Sequence, residues 1–423
     1  MDSFCVVRPL AGAIYGRVVL VRHRSSGRFY ALKAMSLPHV RARRAVTGPF
    51  VQEDGDSELQ ILRRLGRNLV YSSGVGGDEK TRDNQEEEED DDDCSWSVSP
   101  VWSNGVEDDA RAAGATHQGD RHLLTLHQDF VDRSTNTRCL LFDYCPYGDL
   151  FSHVSAHAGS HGKPRGLPLE MARSCFEQIA SAVGFLHARN VAHRDLSLEN
   201  VLLDSFRRCR LADFGLASAS GTRCFGARVG KILYMAPEVF SRPPYRPDVG
   251  ATCSRASVGV DVCYDGLQAD IWSLGVILFI LVTGIPPFEK ASDVDARFRL
   301  VSKPGGSIGS LLREWGQEDR LPRELRTLLD WMLRVDPRQR PSAEQVRGHA
   351  WLQTTNDSQQ QTTPVKESSR WSGHGEKRPS AEPEEEEDGE NQEPQQLAGA
   401  AKNADKSWSW SSPRSNKRVK RTE

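Results

Sequence analysis

The chain has 423 residues, is 38% hydrophobic and carries a formal net charge of −3, which admits one large two-lobed domain with tails, or two to three domains, part of which never packs. Its nine cysteines, odd in number and without a Cys-x-x-Cys pair, argue against a disulfide framework and a zinc site and for a reducing compartment. No charged-then-apolar segment of the secretory type opens the sequence.

Residues 4 to 35 alternate in the manner of strands, with Ser25-Ser26-Gly27 as a turn. From Glu58 to Leu65 the apolar residues Leu59, Ile61, Leu62 and Leu65 fall at helical spacing. Residues 66–120 then break every pattern, with 4 basic and 15 acidic side chains, including eight consecutive acids from Glu86 to Asp93. Such composition predicts a disordered acidic insertion. Leu123–Phe130 and Arg138–Tyr144 resume strand character, and helical periods follow in Glu170–Ala188, Ala269–Val282 and Glu324–Arg334. Between them, 241–266 reads as an irregular insertion rich in Pro, Gly and Ser. The longest apolar run, Ile271–Ile285, holds Ser273, Thr283 and two glycines. It is too short for a bilayer and predicts a buried helix, so no membrane partner is expected. After Leu352 the chain turns polar, and 353–423 is expected to be a disordered tail. Outside 66–120 and 354–423, 40 basic side chains face 30 acidic ones. That excess suits a phosphate-rich ligand, and equally a solvated surface. Strands first and helices later predict an α+β architecture, with a small β-rich lobe over about 4–142 and a larger helical lobe over about 146–352.

Chemistry concentrates in one region. Transfer of a phosphoryl group asks for metal ions that neutralise the phosphates, a cation that holds them and a group that orients the attacking hydroxyl. In His193-Arg194-Asp195-Leu196-Ser197-Leu198-Glu199-Asn200, Asp195 is placed to orient a hydroxyl as base, and Asn200 offers a carbonyl oxygen to magnesium. Asp213 opens Asp213-Phe214-Gly215, 18 residues after Asp195, and is the natural main ligand of a metal bridging phosphates. Val201-Leu202-Leu203 and Arg210-Leu211-Ala212 read as two short strands presenting this loop.

Together with Tyr234-Met235-Ala236-Pro237-Glu238, these motifs resemble those of the eukaryotic-type protein kinase family, and the resemblance runs over roughly residues 8–352, within a domain expected over 4–352. It implies a bilobal kinase fold, ATP and Mg2+ as cofactors, and protein Ser/Thr hydroxyls as substrate. By the same resemblance Lys33, 17 residues after Gly16, is the lysine that holds the ATP phosphates. Glu58 is the carboxylate that pairs with it, although Glu53 and Asp54 lie nearby. The nucleotide site implied comprises Leu10, Ala11, Gly12, Ala13, Gly16, Val18, Ala31, Lys33, Glu58, Asp143, Cys145, Asp149, Leu202 and Asp213. Asp143, Tyr144 and Cys145 would form the hinge that reads adenine, with Phe142 limiting the space behind it. Leu62, Leu126, His193 and Phe214, anchored on Asp270, would form one internal stack; Val18, Ala31, Leu150 and Leu202, continuing to Ile277 and Leu281, would form another. Asp270 would bind the catalytic-loop backbone, and Arg340 would pair with Glu238.

Three departures stand out. Where the family has G-x-G-x-x-G-x-V, this chain reads Ala11-Gly12-Ala13-Ile14-Tyr15-Gly16-Arg17-Val18, which predicts weaker or slower nucleotide handling, since glycines let backbone N–H groups approach phosphate. Ser197 stands where Ser/Thr kinases carry a lysine, so one cation of the transfer clamp is missing; Arg207, Arg208 or a substrate group are candidates to replace it. Lys231, after Gly230, stands where a threonine is usual, and is expected to supply part of the charge absent at Ser197. Lys231 therefore joins Asp195, Lys33 and Asn200 as a candidate catalytic residue.

Regulation and specificity are read by the same resemblance. Ser218, Ser220 and Thr222 lie in the activation segment 213–238, with Thr222 the best candidate for a regulatory phosphate, since position 227, where one often sits, is alanine. Ile280–Phe288 is most similar to the calcium/calmodulin-dependent kinase group. Asp149 and Glu199 match positions that hold arginines upstream of the target residue, so substrates with Ser/Thr near Arg or Lys are expected. Lys417-Arg418-Val419-Lys420-Arg421 resembles a nuclear import signal, and alternatively folds back on the acidic runs or touches nucleic acid weakly. No aromatic pattern suggests specific nucleic-acid binding, and a cytoplasmic or nuclear location is expected. The alternative reading, favoured by Ala11, Ala13 and Ser197, is a pseudokinase acting as a nucleotide-binding scaffold.

Overall fold

The computed structural model describes residues 3–70, 120–157, 165–242 and 263–353. The acidic run, the polar tail with its terminal basic cluster, and 243–262 of the irregular stretch lie outside the described residues. The ends of that stretch are ordered into the fold: Tyr264 pairs with Cys224 through two backbone hydrogen bonds of 2.9 Å, and Gly266 opens a helix.

The first half builds an antiparallel sheet. Strands β1 (Phe4–Ala13), β2 (Gly16–His23) and β3 (Phe29–Ser36) are followed by helices α1 (Leu37–Ala42) and α2 (Gly55–Val70), then by β4 (Leu126–Asp132) and β5 (Thr137–Asp143). The sheet order is β1-β2-β3-β5-β4. Strand side chains alternate between faces, and both faces are used. Val19, Val21, Tyr30, Leu32, Cys139 and Leu141 pack together on one face. The register Val18↔Lys33, Leu20↔Ala31 and Ala31↔Phe142, Lys33↔Leu140 puts the lysine and its apolar neighbours on the other. The turn from Ala13 to Gly16 is tight. A Cβ at Gly16 would lie 2.1 Å from the Ala34 carbonyl oxygen, whereas one at Gly12 would meet nothing within 4 Å. Of the glycines in this hairpin, Gly16 is the one that packing demands.

The second half is helical. It runs through α3 (Leu150–Ala156), α4 (Leu169–His187), the short hairpin β6 (Val201–Leu203) and β7 (Cys209–Leu211), α5 (Pro237–Phe240), α6 (Gly266–Thr283), α7 (Ala296–Ser302), α8 (Ile308–Glu314), α9 (Arg323–Met332), α10 (Ala343–Arg347) and α11 (Ala350–Gln353). Helix α6 is apolar on all sides, so it must sit at the centre of the lobe. Its N-terminus is capped by Asp265, which accepts from the N–H groups of Leu267 and Gln268, and Gly284 ends it in the left-handed conformation at φ 78°. By length and composition α6 would suit a bilayer, a point on which the sequence-based expectation of too short a run is corrected, yet 83% of it is buried inside the fold. Arg340 fixes the lower lobe: its guanidinium grips Glu238 through bonds of 2.7 and 2.8 Å and also donates to the Gln268 carbonyl at 2.8 Å.

Candidate active site

The site lies between the sheet and the helical lobe, and three chain segments build it. Lys33 projects from β3 towards Glu58 on α2. Its ammonium donates to both Glu58 oxygens, at 2.7 and 2.9 Å, and stands 3.6 Å from the Asp213 carboxylate. Burial by itself would lower the Lys33 pKa, but the charges of Glu58 and Asp213 outweigh it and hold the ammonium above its ordinary range. Burial pushes Glu58 upward while Lys33 pulls it down; the bidentate contact decides for an ionised pair. Of the three acids that compete for this role in the sequence, Glu58 is the partner. Asp54 instead caps α2, accepting from the N–H groups of Asp56 and Ser57 at 3.1 and 3.0 Å.

The catalytic loop hangs from the central helix. Asp270 on α6 accepts from the backbone N–H groups of His193 and Arg194, both at 2.8 Å, and from His187 Nε2 at 3.0 Å. His193 Nε2 donates to the Ala212 carbonyl at 3.1 Å, which leaves Nδ1 to accept from the Asp195 N–H at 3.3 Å. Arg194 and Asp213 each hold φ at +66°, a conformation that costs energy for a residue with a Cβ and that the surrounding bonds enforce. The His193 and Phe214 rings stack at 5.2 Å, and Leu62 is buried with Phe214 in the same core. Asn200 donates through Nδ2 to the Asp195 carbonyl at 2.8 Å and to its carboxylate at 2.9 Å. That orientation turns Asn200 Oδ1 away from Asp195.

Lys231 closes the loop from the activation segment. Its N–H donates to Asp195 Oδ1 at 3.0 Å. Its ammonium contacts Ser197 Oγ at 2.9 Å, Asp195 Oδ2 at 3.2 Å and Asn200 Oδ1 at 3.3 Å. Arg207 and Arg208, the other cations considered for this place, stack instead on Tyr147 and Phe206 at the β6–β7 turn, at 4.6 and 4.8 Å.

Above these groups, Leu10, Ala13, Val18, Ala31 and Leu202 are half-buried and Phe142 is buried, while Ala11 and Gly12 are exposed at the edge. Leu150 is buried at the foot of this wall, and the neighbouring Asp149 pairs with Leu202 in an isolated bridge. Asp143 binds His127 Nε2 at 2.6 Å through its side chain, and Cys145 is buried. The Asp149 carboxylate caps α3, accepting from the Ser152 N–H at 2.7 Å and the Ser152 hydroxyl at 3.0 Å.

Asn200 Oδ1, which the Lys231 ammonium meets at 3.3 Å, and the Asp213 carboxylate, 3.6 Å from Lys33, are hard oxygen donors. Protein around Asp213 disfavours its charge, but Lys33 and the Gly215 N–H hold its pKa below the usual carboxylate range. Among the described residues no group of three or more His, Cys, Asp or Glu side chains is arranged to hold a metal by itself. Two donors are what Mg2+ needs when substrate phosphates complete its shell, so the residues present fit the ion.

Two features escaped sequence reasoning. Glu53 reaches into the site: a Cβ at Gly215 would lie 3.1 Å from Glu53 Oε2, and burial together with the Asp213 charge pushes the Glu53 carboxyl up to about 7. Tyr264 accepts a hydrogen bond from Arg194 Nε at 2.9 Å. Neither lies in a motif, and both act across long sequence separations. The Tyr234 phenol is buried against the Glu199 carboxylate, and burial together with that neighbouring charge raises its pKa.

A family profile described as the protein kinase domain matches residues 117–352, more than half of the chain. Similar proteins include a putative serine/threonine-protein kinase of Saccharomyces cerevisiae, 31% identical over 233 residues, covering 55% of this chain and 22% of that protein. The probable serine/threonine-protein kinase KCC4 of the same yeast is 32% identical over 241 residues, 56% of this chain and 20% of that one. NUAK family SNF1-like kinase 2 of Homo sapiens is 31% identical over 232 residues, 55% of this chain and 31% of that one. The alignments thus span a fifth to a third of these relatives' own length.

Proposed function

The chain belongs to the protein kinase family, and from that premise we propose that it is an active, magnesium-dependent kinase that moves the γ-phosphate of ATP to serine or threonine hydroxyls of proteins. The observation that carries this reading is the Lys33 ammonium, placed 2.7 Å from Glu58 and 3.6 Å from Asp213. A buried cation tied to both lobes is set to receive phosphate oxygens beside the metal-binding carboxylate. Asp195 accepts the proton of the substrate hydroxyl, and Asn200 holds it in place through the bonds at 2.8 and 2.9 Å. Asn200 and Asp213 would hold Mg2+, which would supply charge neutralisation at the phosphates. The half-buried apolar side chains Leu10, Val18, Ala31 and Leu202 line a slot for adenine. Similarity to named serine/threonine and SNF1-like kinases agrees with the resemblance to the calcium/calmodulin-dependent group.

Substrates with Arg or Lys two to three residues upstream of the target are part of the same proposal. Glu199, whose carboxylate lies against the buried Tyr234 phenol, brings a negative charge to the place where a guanidinium is expected. Asp149 supports the preference less directly, because its carboxylate is already engaged by Ser152.

The test is autophosphorylation with γ-labelled ATP and magnesium, comparing the wild type with Asp213→Ala. Label on the wild type and its loss in the variant support the kinase. Equal labelling of both, or none in either, moves the reading to a nucleotide-binding scaffold.

A further inference from the structure

We propose that the cation of the phosphoryl-transfer clamp is Lys231, delivered by the activation segment in place of a side chain from the catalytic loop; the inference rests on the kinase reading above and deepens it. Ser197 is fully buried and too short to reach a phosphate, but its hydroxyl seats the Lys231 ammonium at 2.9 Å. The same ammonium stands 3.2 Å from the base Asp195, so it lies beside the path of the transferred group. The approach is built rather than incidental. Gly230 holds φ at +88°, and a Cβ there would lie 2.6 Å from the Arg194 carbonyl oxygen and 3.4 Å from Asp195 Oδ1. Only glycine lets the backbone come this close, and the Lys231 N–H then bonds Asp195 Oδ1 at 3.0 Å.

An ammonium has three donors, and here they meet Ser197, Asp195 and Asn200. The contact to Asn200 Oδ1, at 3.3 Å, is the longest of the three. A metal ion held at that oxygen would free one N–H of Lys231 for a phosphoryl oxygen. The Lys231 side chain is 38% exposed, so it is reachable from the cleft. In the transfer, the bond from the γ-phosphorus to its bridging oxygen breaks and its electron pair leaves with ADP. The bond from phosphorus to the substrate oxygen forms, and the hydroxyl proton passes to Asp195. Lys231 neutralises the equatorial oxygens as this happens. A lysine carried on the activation segment makes the clamp complete only when that segment is docked on the catalytic loop.

The full-length chain tests this with Lys231→Met, Lys231→Arg and the exchange Ser197→Lys/Lys231→Thr. The expected result is a fall in kcat of about 100-fold for Lys231→Met, with the KM for ATP changed less than about threefold. The preference for ADP with aluminium fluoride over ADP alone, read by calorimetry in the presence of magnesium, falls by a similar factor. Lys231→Arg keeps part of the rate, and the exchange variant returns it to within about tenfold of wild type. Turnover by Lys231→Met within about threefold of wild type overturns the proposal. So does a loss of turnover with the analogue preference intact, which marks a positioning role only, and so does an exchange variant that melts like the wild type yet is no faster than Lys231→Met. A wild-type chain without turnover overturns this proposal together with the kinase reading. A wild type that turns over while its variants are unaffected overturns this one alone.

Discussion

At the scale of single residues, close approach decides what is replaceable. Ala11 and Ala13 occupy open or half-open positions, while Gly16 has no room for a methyl group. Gly16→Ala is therefore expected to destabilise the fold by about 1–3 kcal/mol through overpacking, and Gly12→Ala by less than about 0.5 kcal/mol; urea unfolding of the two variants checks the contrast. Glu53 gives a second test. Its carboxyl sits at about 7 in the folded protein against an ordinary value of 4.5, so in that window the folded state binds a proton that the unfolded chain does not. Stability from this group is present below the lower value and is lost as pH rises through the upper one. Without magnesium, the melting temperature of the wild type relative to Glu53→Gln should fall between about pH 5 and about pH 8; a constant difference would refute the assignment. The sequence singled out Asp195, Asn200 and Asp213 as candidates because the chemistry proposed for them demands fixed spacing. It left Glu53 obscure because a carboxylate in a connecting segment has no pattern to follow, and the contact with Gly215 exists only after folding.

At the scale of elements, the activation segment is the piece whose geometry matters most. Its register is set by the paired Cys224 and Tyr264, by Gly230, and by the Arg194–Tyr264 bond. Arg194 and Arg242 both lie over the Tyr264 ring, at 5.9 and 5.0 Å. Arg194, next to Asp195 in the catalytic loop, is thus engaged by a tyrosine hydroxyl. Thr222 is exposed in an open cavity of about 640 Å3 that Arg194 and Arg223 also line, so a phosphate there would compete with Tyr264. Tyr264→Phe keeps the ring and removes the hydroxyl, and a hydrogen bond to a charged group contributes about 1.5–3 kcal/mol. The variant should show faster hydrogen exchange at 220–228 with α6 unchanged. Exchange equal to wild type would mean that the phenol does not hold the segment. Strands and long helices were legible within a few residues because alternation and helical periods mark them directly: Glu170–Ala188 was expected and Leu169–His187 observed. Tyr264 was hidden because it sits at the edge of a Pro- and Gly-rich stretch, where local pattern carries no signal.

At the scale of the whole molecule, the Lys33–Glu58 pair is one of three ion pairs that join the sheet to α2, beside Arg63–Asp129 and Arg138–Asp56, and it is the one that the Asp213 carboxylate links to the helical lobe. On the proposed function nucleotide and metal would bind across this junction, so they should stabilise both lobes together. Mg-ATP at 100 times its dissociation constant should raise stability by about 2.7 kcal/mol, and Asp213→Asn should remove the magnesium-dependent part; a melting temperature that ignores magnesium in the wild type would count against the metal site. The bilobal plan was legible because strand patterns precede helical ones, and the lobes meet where the motif spacing put the chemistry. The central claim is that this junction transfers phosphate, and one measurement addresses it most directly: label from γ-labelled ATP on a serine peptide with Arg three residues upstream, followed by phosphoamino-acid analysis, for the wild type and Asp195→Asn. The account predicts labelled phosphoserine from the wild type and a loss of about 100-fold or more in the variant. Absence of transfer by the wild type, or transfer that survives Asp195→Asn undiminished, would contradict it.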